Sequence, residues 1–375
     1  MSTSSSRIVF IDVARALAIA LALFAHAMID LSAWSLESWA SVPIRVWTRS
    51  AAPLFIVMFG MMIELVYVRR AREQGLRAVA GRLLWRSLQC YGAYVCTAVA
   101  GWLGGILTLK GGVTASLMIT DAYFGNILKW YTFGLVLAIP LLYARLRWGI
   151  GSVAATAAAA WAVAAPLSGA ATVLPAHAAN VAGVLVGMGR FGPSVFHGMT
   201  FVAIGMGLSY ALRRGASRRA FTTLCGGLLL AGAGTFVVLA LGPESVGTVL
   251  REAIGDGWRR QNHPGYFALG GGLAVATLLG LAAVIPDGRP LPRGARLPMR
   301  FGTSSLLAFT VGNVLLNLRP RHIEAGGFYE ALALAVAFLA VTLLVLHVPD
   351  LVRIVVPTPE PALRRLRAVL RRVTR

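Results

Sequence analysis

The chain is dominated by long apolar runs that are separated by short polar or basic segments. Runs of about 20 residues, the length that an α-helix needs to cross a bilayer, lie near 8–31, 50–68, 87–109, 127–144, 148–168, 195–212, 220–241, 264–285, 301–318 and 328–347. This pattern predicts an all-α fold, a polytopic transmembrane helical bundle with about ten spans. Residues 1–348 would form one membrane domain, followed by a tail over 349–375.

Basic residues are sorted unevenly among the connecting segments. Most lie in 69–86, 145–147, 213–219, 286–300 and the tail from 349, all of which are inside if the N-terminus is cytoplasmic. The positive-inside rule therefore predicts an N-in, C-in topology. The tail has leucines on one helical face and arginines around the rest, which predicts a basic amphipathic helix on the inner leaflet.

Composition excludes several classes of protein. The 375 residues are 57% apolar and only 13% charged, whereas a soluble domain carries about 25% charge. The net charge of +21 follows from the sorting of arginines across a membrane, so we expect a lipid bilayer and no nucleic acid as partner. The absence of a GxxxxGK[ST] motif excludes a P-loop NTPase, and the absence of HExxH, CxxC and His/Cys clusters predicts no metal. The three cysteines lie in apolar runs and are predicted to be buried.

Two outer segments, 169–194 and 242–263, are long enough to carry structure of their own. The first is apolar enough for a half-helix or a re-entrant turn, which leaves the span count open at that point. The opening span mimics a cleavable signal peptide, but Asp12 and Arg15 disfavour cleavage.

The first span contains ionisable residues that a bilayer disfavours. Only 14 uncharged residues separate Arg15 from Asp30, about 21 Å of helix against a hydrocarbon core of about 30 Å. Asp12 and Arg15 are spaced to form an ion pair along one helix face. His26 follows Arg15 by eleven residues, so the two lie on one stripe about 16.5 Å apart along the axis. Asp30, four residues further, is placed to orient the imidazole. The alternative is an arginine that reaches the interface and a hydrogen-bonded core histidine.

Polar residues in other spans have structural and functional interpretations. Glu64 ends an uncharged stretch in the second span and is expected to form a structural ion pair with Arg15. Asn313 and Asn317, four residues apart, would hydrogen-bond either an acceptor or oxyanion, or neighbouring helices. The tryptophans of the first outer loop would either stack on sugar rings or form an interfacial belt; they are Trp34, Trp39 and Trp47.

Several segments resemble membrane-bound acyltransferase family 3. RIVFIDVARALAIALALFAH resembles its opening helix, in which an Arg, ten residues and a His correspond to Arg15 and His26. TRSAAPLFIVMFGMMIELVY resembles the second helix through a P-x-F-x-x-x-x-G pattern, GRLLWRSLQCYGAY resembles the basic entry to the third, and MRFGTSSLLAF resembles G-x-x-S-[LY]-x-x-[YF], with Ser305 as its serine. Envelope glucan succinyltransferases and transmembrane glucosaminide acetyltransferases look like related arrangements. The chain departs from the family at Gly312, where many members have a second histidine, and in the RxxxR spacing of the third-helix arginines.

The resemblance implies an O-acyltransferase that moves an acetyl or succinyl group from cytoplasmic acyl-CoA, the co-substrate, to a hydroxyl of an extracytoplasmic glycan or lipid-linked sugar. His26 would act as general base or as covalent acyl carrier, with Asp30 stabilising the imidazolium and Arg15 lying deeper along the donor path. The phosphates of CoA would be bound by either of two arginine sets: Arg82 and Arg86, or Arg69, Arg70 and Arg72. The implied location is a bacterial plasma membrane, and a homodimer is left open.

Two non-enzymatic interpretations remain. A transporter or flippase for an envelope precursor would also need buried arginine and carboxylate groups, although matched halves with broken helices would be expected of it. A membrane assembly factor is the third. Replacement of His26 by alanine should abolish an enzyme and leave a transporter working.

Overall fold

The computed structural model describes residues 8–35, 41–171, 174–187, 192–213, 218–241, 246–285, 297–320 and 323–355. Over these residues the fold is all-α, as predicted. The α-helices are α1 (Val9–Asp30), α2 (Ser41–Thr48), α3 (Ala51–Met62), α4 (Val68–Gln74), α5 (Leu76–Leu103), α6 (Leu109–Ser116), α7 (Asn126–Trp148), α8 (Gly151–Ala171), α9 (Ala176–Val186), α10 (Val195–Arg213), α11 (Arg218–Ala240), α12 (Val246–Ile254), α13 (Gly257–Arg260), α14 (Pro264–Val284), α15 (Met299–Thr303), α16 (Ser305–Asn317) and α17 (Phe328–Val355).

Seven helical segments of the described chain are long and apolar enough to cross a membrane. They are Val9–Asp30, Ser41–Gln74, Asn126–Trp148, Gly151–Gly169, Val195–Leu212, Pro264–Val284 and Phe328–Val348. The other three predicted spans also fall on helices: α11 and α16 have shorter apolar stretches, and α5 carries arginines in its first half. About ten spans with both ends inside therefore stays a prediction.

Helix α1 lies among other helices rather than at the edge of the bundle. It packs against α3, α14, α15, α16 and α17. Ala14 and Ala18 are fully buried, and a Cβ atom at Gly302 of α15 would collide with the backbone of Asp12. Without a hydrophobic driving force between helices in lipid, such small residues let the backbones approach closely. The glycine of the G-x-x-S motif therefore places α15 and Ser305 beside the opening helix.

The second predicted span is also shaped by glycine contacts. A Cβ atom at Gly60 of α3 would collide with the backbone of Val202, and one at Gly205 of α10 with the backbone of Val57. These reciprocal contacts hold α3 against α10. The glycine of the P-x-F-x-x-x-x-G pattern is thus explained by packing.

The ion pair predicted between Glu64 and Arg15 is wrong. Glu64 lies in a π-helical turn, Ile63–Tyr67, between α3 and α4, and its carboxylate accepts two hydrogen bonds from Arg145, at 2.9 Å from Nε and 2.8 Å from Nη2. Arg145 belongs to α7, which continues to Trp148, so the predicted loop at 145–147 is helical. The planar guanidinium of Arg145 matches a carboxylate at two points. Arg15 instead pairs with Asp12 at 3.5 Å, as predicted.

Several further predictions can be compared with the described residues. Within 169–194, where a half-helix or a re-entrant turn was predicted, the structure has α9, a helix of 11 residues. Cys90 and Cys225 are buried as predicted, but the prediction is wrong for Cys96, which is exposed on α5. Helix α17 extends to Val355, and the remainder of the predicted amphipathic tail, 356–375, lies outside the described residues.

Candidate functional site

The imidazole of His26 faces a cavity of about 370 Å³ between α1, α3, α7 and the polypeptide around residue 259. Its aromatic walls include Phe55, Trp130 and Phe309. Its polar groups include His26, Asp121, Arg45, Arg49, Arg259 and Tyr266. A mostly apolar cavity with a few convergent polar groups is the usual form of a small-molecule site.

One nitrogen of the His26 ring is hydrogen-bonded to the protein, and the other is available to accept a proton. Nδ1 lies 2.8 Å from Oδ1 of Asn313, and because an amide oxygen only accepts, Nδ1 donates its proton. The ring stacks on Phe124 at a centroid distance of 4.4 Å and meets the edge of Phe309 at 5.7 Å. Nε2 makes no hydrogen bond with any residue in the described ranges. The neutral ring therefore carries its lone pair on Nε2, the tautomer that a general base needs.

Asp30 does not orient His26, contrary to the sequence prediction. Its Oδ2 accepts a hydrogen bond of 2.6 Å from Nε of Arg319, which follows α16. Arg319 also bonds the carbonyl oxygen of Ile323. A buried carboxylate needs a charged partner, and Arg319 supplies it at the end of α1. Asp30 is thereby placed in a structural ion pair, and Asn313 takes the position next to the imidazole.

Asn313 and Asn317 both connect helices, which was one of the two predicted roles. Asn317 Nδ2 lies 3.5 Å from the carbonyl oxygen of Thr97 on α5 and 3.4 Å from that of Tyr123. Gly312 precedes Asn313, the hydrogen-bond partner of His26, and a Cβ atom at Gly312 would press on Leu23 of α1. Gly312 therefore lets α16 approach α1 closely enough for Asn313 to reach His26.

Arg15 lies at a second, smaller cavity of about 110 Å³. This cavity is lined by Arg15, Phe55, Met58, Phe59, Met62, Tyr131 and Ser305. Phe55 lines both cavities, and the Tyr131 hydroxyl donates a hydrogen bond of 2.8 Å to the carbonyl oxygen of Phe55. The stripe of Arg15 and His26 thus faces two adjoining spaces with Phe55 between them.

The two arginine sets predicted to bind CoA line neither cavity. Arg82 and Arg86 are exposed on α5, where Arg86 Nη1 donates to Gln89 Oε1 at 2.9 Å. Arg69, Arg70 and Arg72 lie on α4, and Arg69 is 3.6 Å from Glu73. Helices α4 and α5 meet at Gly75, whose φ of +85° suits glycine. The two sets therefore lie on the two helices that meet at this turn, and their role in donor binding stays a prediction.

A buried lysine near the cavity was not recognised from the sequence. Lys129 is fully buried on α7, with Nζ 2.5 Å from Oδ1 of the cavity residue Asp121. Its ammonium group also lies 5.4 Å from the ring centroid of Tyr94. The sequence could have indicated a buried lysine here, since Lys129 is one of only two lysines and lies inside an apolar run.

Three arginines on the other side of the cavity were also missed. Arg45 and Arg49 come from the α2 region, and Arg259 comes from α13. Burial raises the pKa of Asp256, but Arg259 and Arg49 outweigh burial and keep the pKa below its ordinary value of 3.8. Asp256 is therefore ionised at neutral pH.

The predicted loop tryptophans have different positions. Trp34 lines the cavity, Trp47 is half exposed, and Trp39 lies outside the described residues.

Replacing Asn313 by leucine is expected to slow acyl transfer, the activity that the sequence resemblance implies, about tenfold, because a hydrogen bond of about 1.4 kcal/mol that selects the Nε2 base would be lost. Asn313→Asp retains an oxygen acceptor for Nδ1 and should keep most of the rate. Initial rates over a range of donor concentrations would show the change in kcat, with KM for the donor unchanged. Equal loss in both variants would mean that Asn313 is required only for folding.

The comparisons with known proteins concern the first quarter of the chain. Residues 7–108 match the family model described as OpgC protein, a family of osmoregulated periplasmic glucan succinyltransferases. This match confirms the resemblance inferred from the sequence, and it spans Arg15, His26, Glu64 and both arginine sets. No curated protein and no solved structure matches the chain. The family suggests a membrane acyltransferase that acts on glucans.

Proposed function

We propose that this chain, which matches the OpgC family over residues 7–108, is an integral-membrane O-acyltransferase of a bacterial plasma membrane. It transfers an acyl group from cytoplasmic acyl-CoA to a hydroxyl of an extracytoplasmic glucan. The observation that carries the proposal is the position of His26: Nδ1 is held by Asn313, while the ring lines a cavity with Nε2 available as a base.

The reaction needs a base and no further chemical group. Nε2 of His26 takes the proton of the acceptor hydroxyl, and the oxygen attacks the thioester carbonyl. The tetrahedral intermediate collapses with cleavage of the carbon–sulfur bond, and the imidazolium returns the proton to the CoA thiolate. The products are a glucan ester and free CoA. Transient acylation of His26 would give the same products in two displacements.

The two cavities provide a path for the donor. Arg15 is about 16.5 Å from His26 along α1, toward the end of the bundle where the arginines of α4 and α5 lie. A CoA bound there by its phosphates would extend its arm past Arg15 and Phe55 to bring the thioester to His26. The acceptor would enter the larger cavity from the opposite end, beside Trp34.

Enlarging Phe55 should obstruct this path. Phe55→Trp adds volume between two cavities of about 370 and 110 Å³, so we expect KM for acyl-CoA to rise about tenfold, a binding loss of about 1.4 kcal/mol. Phe55→Leu leaves the passage open and serves as the matched control. Both proteins would be assayed after size-exclusion chromatography, since overpacking costs about 1–3 kcal/mol of stability. An unchanged KM in Phe55→Trp would contradict the path.

Reconstitution into proteoliposomes tests the proposed activity. Labelled acyl-CoA is sealed inside and a linear β-glucan is added outside, so that only protein that connects the two faces can form product. We expect labelled glucan in this arrangement and much less when donor and glucan are both outside. Equal transfer in both arrangements would refute transfer across the membrane. Entry of unmodified glucan into the lumen would support the flippase interpretation instead.

A further inference from the structure

An arginine cluster, defined as Arg45, Arg49 and Arg259, lines the cavity that contains His26. We propose that this cluster is a subsite for an anionic oxygen group, a carboxylate or a phosphate, carried by a substrate that reacts at His26. The inference rests on the proposed function and deepens it. The anionic group has two possible sources, the acyl chain of the donor and a substituent of the acceptor.

Within the part of the chain that the structure describes, the cluster has more positive charge than its carboxylate partner neutralises. Asp256 Oδ1 lies 2.7 Å from Arg49 Nη1 and 3.2 Å from Arg259 Nη2, and its Oδ2 lies 3.6 Å from Arg260 Nη2. Two guanidinium groups of the cluster therefore share one carboxylate with Arg260, which is not part of the cluster. Arg49 is fixed further by a 2.9 Å hydrogen bond from Nε to the carbonyl oxygen of Ile254.

Arg45 is held by an aromatic ring and forms no ion pair with the residues that the structure describes. Its guanidinium carbon lies 5.4 Å from the ring centroid of Trp34. The Nε atoms of Arg45 and Arg259 are both buried without a hydrogen-bond partner in the described parts of the chain. Buried donors are normally satisfied, so two such atoms beside one cavity indicate that a ligand completes them.

The other acidic groups near the cavity do not neutralise the cluster. Asp121 is paired with Lys129 at 2.5 Å. Glu252 lies over Gly257 and makes no ion pair within the described ranges. A planar guanidinium binds carboxylate or phosphate oxygens at two points and stacks on aromatic rings, which fits Arg45 above Trp34.

The cluster is separate from the arginines predicted to bind the phosphates of CoA. Arg49 precedes α3 and Arg69 follows the π-helical turn, so twenty residues of continuous helix place them roughly 30 Å apart. Arg259 and His26 line the same cavity. The anionic group would therefore be held near the reacting carbonyl, and the phosphates of the donor at the opposite end.

A double variant, Arg45→Gln with Arg259→Gln, tests the subsite; Arg49 is left unchanged because it also holds Asp256 and Ile254. The control is Arg251→Gln, an exposed arginine of α12 that does not line the cavity. Initial rates would be measured in proteoliposomes with succinyl-CoA or acetyl-CoA as donor, and with a neutral glucan or the same glucan bearing carboxylates as acceptor.

A loss of at least tenfold with succinyl-CoA but not acetyl-CoA would support the subsite and assign it to the acyl chain. The same loss with the carboxylated glucan alone would support it and assign it to the acceptor. Equal rates of double variant and control with every pair, or an equal loss with every pair, would overturn it. As a binding readout, succinate at millimolar concentration should raise the melting temperature of the wild type and not of the double variant. An inactive wild type that still shows this shift would refute the proposed function and leave the anion site standing.

Discussion

Replacing His26 by glutamine is expected to reduce acyl transfer by about 10²- to 10⁴-fold, the usual contribution of a general base. Glutamine has an amide that can still donate to Asn313 across α1 and α16, but it has no nitrogen lone pair that can take a proton. If His26 instead carries the acyl group covalently, the loss should be at least as large. Ester formation from labelled acyl-CoA in proteoliposomes would measure it.

His347→Gln is the matched control for this substitution. Its Nδ1 bonds the carbonyl oxygen of Leu343 on α17, and the residue does not line either cavity. This variant should retain nearly full activity. Transfer by His26→Gln within tenfold of the control would show that another group is the base, and the flippase interpretation would gain support if glucan transport also persisted.

The geometry that the sequence predicted correctly is the part set by helical periodicity. Arg15 and His26 were placed on one stripe from their spacing alone, and each faces a cavity that Phe55 also lines. The pairing of Asp12 with Arg15 is likewise local, at i and i+3. These relations depend only on the geometry of one helix, which the sequence determines over a few turns.

The partners across helices were predicted less well, because they depend on which faces meet after folding. His26 is bonded by a residue 287 positions away, and Asp30 by one 289 positions away. Local spacing favoured contact between His26 and Asp30, but Arg319 satisfies the carboxylate with an ionic hydrogen bond. A carboxylate is stabilised more by a guanidinium than by a neutral imidazole. Asp30 therefore pairs with Arg319 and not with His26.

The arginines of the cavity show a second limit of sequence reasoning. The positive-inside rule concerns the majority of arginines and says nothing about the few in segments that it predicts to lie outside. Arg45 lies on α2, Arg49 follows that helix and Arg259 lies on α13, and only folding brings them to one cavity. Their shared location, rather than their number, is what makes them a candidate site.

The buried pair of Glu64 and Arg145 should show the largest effect on stability. Their side chains are only 1% and 6% exposed, so removing one partner leaves the other charge without its bidentate contact. We expect Glu64→Leu or Arg145→Leu to lower the free energy of unfolding by about 3–5 kcal/mol, and the double replacement to lower it by much less. Denaturant titration in detergent would measure all three.

Glu73→Ala is the control for this prediction, because the Glu73–Arg69 pair is also formed between a carboxylate and a guanidinium but has side chains 56% and 50% exposed. An exposed pair of this kind contributes about 0–1 kcal/mol. The comparison also bears on the site, since Glu64 lies in the π-helical turn that follows α3, and α3 carries Phe55 between the two cavities. A variant that is less stable and also has a higher KM for the donor would indicate that the Glu64–Arg145 pair fixes the position of Phe55 between the two cavities. Single variants as stable as Glu73→Ala would contradict the assignment of the pair as a buried structural element.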